Sequence, residues 1–146
     1  MIRFPKPTKK IKQKKPIRRQ RKTERAEWIR ALDKLVSETV RKRDKRCLRC
    51  GSTKRLTCSH FWNRNKIGTR WRWENLDTFC MPCHFYHLEK QKHDWYRDFK
   101  LKQLGESEYL QLEYEASRLT KFTVNELKVL YKVLTEEAKM ILDKKL

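Results

Sequence analysis

Acidic residues and long apolar runs are what this sequence lacks. Across 146 residues, 18 Asp and Glu stand against 38 Lys and Arg, for a net charge of +20. The first 22 residues carry eleven basic residues and no acid, and the remainder still has 27 bases against 18 acids. Both parts therefore call for a polyanionic partner, because neutralising phosphates releases condensed counterions. No apolar run approaches the roughly 20 residues that a bilayer-crossing helix needs, so a soluble protein without a membrane partner is expected. An apolar secretory region is also missing from the N-terminus, which argues against reading the five cysteines as a secreted disulfide framework. A reducing compartment is the expected setting. Aromatic residues, at 11%, are too plentiful for a wholly disordered chain.

Four segments follow from composition and periodicity. Residues 1–22 contain three prolines and no hydrophobic period, and they read as a basic disordered arm that adds DNA affinity without reading sequence. Lys9, Lys10, Arg18 and Arg19 are its candidate DNA contacts. Over 23–45, Trp28, Ile29, Leu32, Leu35, Val36 and Val40 recur at helical spacing behind an N-capping Thr23. Residues 46–93 hold the cysteines and the histidines. Within them, 55–62 reads as a first strand, Trp71–Trp73 and Asn75–Phe79 as extended returning segments, and Pro82 as the first turn of a helix that breaks near Lys92 or His93. Over 94–146 a helix opened by Asp94 stops at Gly105, a second runs over 106–118, and a third starts from a Thr123–Glu126 capping box. The fold class is α+β and mainly helical, a small core in the order strand, strand, helix flanked by N- and C-terminal helices.

Cys47 and Cys50 form one Cys-x-x-Cys knuckle, and Cys80 and Cys83 form another after 29 intervening residues. Four thiolates suit a tetrahedral structural zinc and leave it no open position for catalysis. Cys58 reads as a small buried strand residue. His60, Asn75 fifteen residues later and His84 nine beyond that need a separate explanation, since the cysteines already complete one site. Phosphodiester hydrolysis requires a base near neutrality and a cation beside the phosphate. His60 is the candidate base, His84 the candidate ligand of a catalytic divalent ion, and Asn75 a brace for the hairpin. His87 follows His84 by three residues, as a second ligand, a phosphate contact or a surface histidine. Arg64, Lys66, Arg70 and Arg72 interleave with Trp62, Trp71 and Trp73, a mixture suited to DNA backbone contacts with base stacking, or to a core that happens to be rich in tryptophan.

These residues resemble the HNH, or ββα-metal, nucleases. His60, Asn75 and His84 occupy the three signature positions, and the flanking knuckles match the zinc-containing branch. More closely, Val40-Arg-Lys-Arg-Asp44, Cys47-Leu-Arg-Cys50-Gly51, Ser59-His60-Phe61, Arg72-Trp-Glu-Asn75-Leu76 and Cys80-Met-Pro-Cys83 are similar to the NinG/Rap-type phage recombination nucleases. The resemblance implies a zinc-stapled ββα-metal core and an endonuclease using Mg2+ or Mn2+. It also implies branched DNA such as Holliday junctions as substrate, recombination proteins as partners, a homodimer, and a place in the host bacterial cytoplasm or nucleoid. Ser59 departs from the pattern, standing where many members carry an Asp or His metal ligand; Asp77, Asn63 and His87 are the substitutes within reach. The competing readings are a non-catalytic zinc module that binds nucleic acid, and an HNH nuclease of linear duplex serving restriction or packaging.

Overall fold

The computed structural model describes residues 23–85 and 94–144. The arm over 1–22, with Lys9, Lys10, Arg18 and Arg19, lies outside them, as do His87, His93 and the expected helix break near Lys92. Helix α1 (Glu24–Asp44) starts where Thr23 Oγ1 accepts from the Ala26 amide at 3.3 Å. Glu24 and Glu27 lie in its first turn and Arg41, Lys42 and Arg43 in its last, each sign set against the opposite end of the helix dipole. It ends because Lys45 turns left-handed, with φ 61°, and sends its amide back to Arg41 O at 3.0 Å. Leu32, Val36 and Val40 bury one stripe completely, which stabilises the fold by roughly 1.5–3 kcal/mol per side chain.

That stripe covers one face of a two-stranded antiparallel hairpin, β1 (Leu56–His60) and β2 (Leu76–Cys80), in register from Leu56 opposite Cys80 to His60 opposite Leu76. Cys58 and Leu76 pack into the α1 core, where Thr78 Oγ1 donates to Val40 O at 3.1 Å. The opposite face receives helix α2 (Asp94–Leu104), whose Tyr96 packs on Phe79. All five β2 residues are buried as a result, so this strand has no solvent face. The expectation of an extended run over Trp71–Trp73 is corrected: residues 69–75 form successive turns ending in a 3-10 turn, Trp73–Asn75. Arg72 N bonds Thr69 O at 3.1 Å and Asn75 N bonds Arg72 O at 3.0 Å. The chain must reverse tightly there to bring Asn75 back under the loop that follows β1.

Helices α2 and α3 (Glu106–Ser117) meet at Gly105, whose φ of 81° suits glycine and permits the sharp change of direction. Helix α4 (Val124–Asp143) carries the complete capping box, Thr123 with Glu126, and lays Leu127 and Leu134 against α1. Gly68 anchors the 61–70 loop to this C-terminal region, since a Cβ there would lie 2.9 Å from Glu115 O and 3.0 Å from Thr120 Oγ1. The fold is thus a mainly helical α+β protein around a small two-stranded sheet.

Candidate metal centre and histidine cavity

The first knuckle is a backbone device before it is a metal site. Gly51, at φ 76°, turns the chain so that its amide reaches Cys47 O at 2.9 Å while Cys47 N takes Ser52 O at 2.7 Å. Leu48 N then bonds Thr78 O at 2.9 Å and Met81 N bonds Arg55 O at 3.0 Å, which docks the knuckle onto the end of the hairpin. The Sγ atoms of Cys47, Cys50, Cys80 and Cys83 consequently lie within 4.8 Å of one another, with Cys50 and Cys80 3.6 Å apart. Zinc–sulfur bonds of about 2.3 Å in a tetrahedron place sulfurs about 3.8 Å apart, so this donor set fits a structural zinc. Burial pushes the Cys47 thiol up, but nearby backbone groups and Cys50 more than offset it and bring it down to about 7. Burial and its neighbouring thiols push Cys83 the other way. Four sulfurs so close share negative charge only with a cation among them.

One residue past Cys83, His84 lies in the helical turn over 81–85. Its Nδ1 sits 2.9 Å from Thr57 Oγ1 on β1, and Thr57 Oγ1 in turn donates to Phe79 O at 2.8 Å. His84 and Thr57 line an open cavity of about 300 Å3 with Ser37, Arg41, Cys58, Arg64, Met81 and Phe85. Among the described residues, that lining includes two guanidinium-bearing side chains and no carboxylate. Cys58 adds no charge, because burial pushes its thiol up to about 12.

His60 ends β1 on the α1 side and connects to this cavity through Arg64, whose Nε donates to His60 Nδ1 at a long 3.5 Å. Burial, followed by the charge of Arg64, lowers the His60 pKa to about 4, with Asp33 pulling the other way. The imidazole is therefore neutral at physiological pH, and Nδ1 is its accepting nitrogen. Asn75 is fully buried: Oδ1 accepts from Trp62 N at 2.7 Å, and Nδ2 donates to Trp62 O at 3.0 Å and Thr69 O at 2.9 Å. Its side chain thus ties both ends of the loop that carries Arg64 to the start of β2.

Other side chains singled out in the sequence divide between surface and interior. Lys66 is exposed, with its amide in a turn to Asn63 O. Arg70 grips Asp33 through two bonds, at 3.0 and 2.7 Å, and Arg72 faces Glu74 and Glu115 at 3.2 and 3.5 Å. Trp71 is core, with its Nε1–H on Asp33 at 2.8 Å, and Trp73 donates to Glu137 at 2.7 Å. These two rings therefore pack in the fold rather than stand ready for bases. Ser59 is buried and hydrogen-bonds Tyr96, on the sheet face away from α1. Asp77 is no substitute ligand, because its buried carboxylate is occupied by buried Lys100 at 2.7 Å and Tyr96 at 2.7 Å and by Gln103 at 3.2 Å. Thr57, Ser37 and Arg41 were not visible as site residues in the sequence; Arg41 lay hidden in a run of helix-terminal bases.

The hairpin, the cysteine cluster at its end and the surrounding helices define a small basic α+β protein that can hold a structural zinc. A model of the family described as Bacteriophage Lambda NinG protein matches residues 3–144. The chain belongs to this phage NinG family. No curated protein and no solved structure matches it.

Proposed function

We propose that this protein is a divalent-metal-dependent endonuclease of the HNH type that cleaves branched DNA, such as Holliday junctions, during phage recombination. The observation that carries this reading is Arg64, which bonds His60 and also lines the basic cavity that holds His84. A base, a metal-ligating imidazole and phosphate-binding guanidiniums then serve one cavity. His84 would hold a hydrated Mg2+ or Mn2+, ions that keep several waters and tolerate few protein ligands. The bound ion supplies positive charge to the scissile phosphate and the leaving oxygen.

In this reading Arg64 turns from His60 to the phosphate, which Arg41 also holds, and the freed His60 Nδ1 takes the proton of the attacking water. A phosphate beside Arg64 offsets the charge that helps hold the His60 pKa near 4, so His60 becomes more basic when substrate arrives. Asn75 keeps the Arg64 loop in place and touches no reacting atom. The basic arm over 1–22 adds salt-dependent affinity for the DNA branches. A homodimer would present two such cavities to a four-way junction, and exposed Val129, Val133 and Met140 on α4 offer it a face.

One observation favours a second reading, a zinc module that binds nucleic acid without cutting it. With Ser59 and Asp77 turned to Tyr96, His84 is the sole imidazole or carboxylate lining the cavity among the described residues. The test is incubation of the full chain with a labelled four-way junction and a matched linear duplex, with Mg2+ or Mn2+, beside His60→Ala. Metal-dependent junction cleavage that His60→Ala abolishes supports the proposal. Binding without cleavage under either metal establishes the second reading, and equal cutting of both substrates points to a linear-duplex nuclease.

A further inference from the structure

From Lys45 to Trp73 the chain carries no aspartate or glutamate. Its bases gather first at the knuckle of Cys47 and Cys50, where Lys45 and Arg46 lead in, Lys54 and Arg55 lead out, and all four are exposed. Among the described residues none of the four is paired with a carboxylate, whereas Arg70, Arg72 and Lys100 all are. The turn brings its two ends together: Cys47 N bonds Ser52 O at 2.7 Å, and Lys54 N bonds Ser52 Oγ at 3.2 Å. Asp44, the nearest acid in sequence, is turned inward onto Arg43 and the Thr78 amide. Arg49, the remaining cation of the knuckle, is committed to the fold, with its guanidinium over the Trp95 ring at 5.2 Å from the centroid.

Two of the four exposed cations sit in a backbone conformation that L side chains avoid. Lys45 has φ 61° and Arg55 φ 53°, the left-handed region that Gly51 occupies without strain. Glycine would relax the chain at either position and would lose only the exposed cation, so the strain marks side chains that are used. We propose that this knuckle face is a sequence-independent binding surface for the phosphodiester backbone of duplex DNA, with Lys45, Arg46, Lys54 and Arg55 each set against a phosphate. The inference concerns binding alone and holds with or without cleavage. Like charges on one turn repel, and phosphates relieve that repulsion while releasing their counterions. The turn is fixed before DNA arrives, because Leu48 N and Arg55 O are bonded to the β2 strand and to Met81 beyond it. Contacts of this kind orient a duplex without reading its bases.

The test measures the affinity of the zinc-loaded full chain for a linear duplex and for a four-way junction as salt is raised, without Mg2+ or Mn2+ so that cleavage plays no part. Lys45→Gln, Arg46→Gln, Lys54→Gln and Arg55→Gln together should lower the slope of log affinity against log salt by about 3 to 4 on both DNAs, since each phosphate contact contributes about 0.9. Lys121→Gln, Lys132→Gln, Lys139→Gln and Lys144→Gln together remove the same charge from exposed positions on and beside α4, and should lower it by less than about 1. Arg55→Gly alone should keep or raise the melting temperature and still lower the slope by about 1. Equal losses from the two quadruple variants would reduce the surface to general charge and overturn the proposal. So would an unchanged slope in the knuckle variant, or an Arg55→Gly protein with the wild-type slope. If the knuckle quadruple loses its zinc, the slope of Arg55→Gly decides on the same terms.

Discussion

Cys83 and His84 are neighbours in sequence, yet the two centres they belong to are built on opposite plans. The cysteine cluster gathers four like donors within 4.8 Å, three of them buried, and offers a metal a closed shell. The histidine cavity opens to solvent and, among the described residues, brings one imidazole alongside Arg41 and Arg64. A closed shell of sulfurs turns metal affinity into folding energy. An open, basic cavity whose described lining holds a single imidazole offers no such closed shell. The contrast is one of plan, and the peptide bond between Cys83 and His84 ties the turn bearing His84 to the cysteine cluster.

Removing the closed shell should have the largest effect. Cys80→Ser, or extraction of zinc by a strong chelator, should unfold the hairpin end; apparent zinc-binding energies in small domains are about 10–16 kcal/mol. Circular dichroism melts and elemental analysis, expected to find about one zinc per chain, check this. An unchanged melt without zinc would break the comparison. Next in size, His84→Ala or His60→Ala should lower junction cleavage by roughly 10²- to 10⁴-fold while zinc content and melting stay close to wild type. If the cavity is the open centre described, mild EDTA should likewise stop cleavage and leave the zinc fold intact.

Asn75→Ala sits between the two plans, because Asn75 belongs to neither the cysteine cluster nor the cavity lining yet braces the Arg64 loop. It leaves Trp62 N, Trp62 O and Thr69 O without their partner, and a loss of about 3 kcal/mol or more in denaturant unfolding is expected. The smallest predicted effect concerns pH. His60 takes a proton near pH 4 in the folded protein but near 6.5 when unfolded, so between these values the unfolded chain binds more protons. Stability should therefore fall as pH drops from about 6.5 to about 4, by about 3 kcal/mol in total from this group. His60→Gln should flatten that part of the stability profile, and an unaltered profile would show that His60 is not held neutral by burial.

How much of this was legible in advance depended on sequence distance. The capping box Thr123–Glu126, the Thr23 cap and the Gly105 stop are contacts within a few residues, and each was readable as a local pattern. The two Cys-x-x-Cys knuckles were readable for the same reason, since each pair is local and four thiols have few other uses. Lys100 was not readable: a lysine in a polar helix looks solvated, yet it is fully buried on Asp77. Arg70 and Arg72 looked like DNA contacts because nothing nearby in sequence identifies Asp33 or Glu115 as their partners.

The sequence by itself determined the net charge, the ends of the helices, the four cysteines that could hold a zinc and the spacing of His60, Asn75 and His84, because all of these lie in composition or short spacing. Tertiary structure decided what surrounds the histidines. Thr57 comes to His84 across 27 residues, and Trp71 and Arg70 come to Asp33 across 38 and 37. Such partners are chosen when apolar faces pack and buried polar atoms must find whatever donor or acceptor the packing brings within reach.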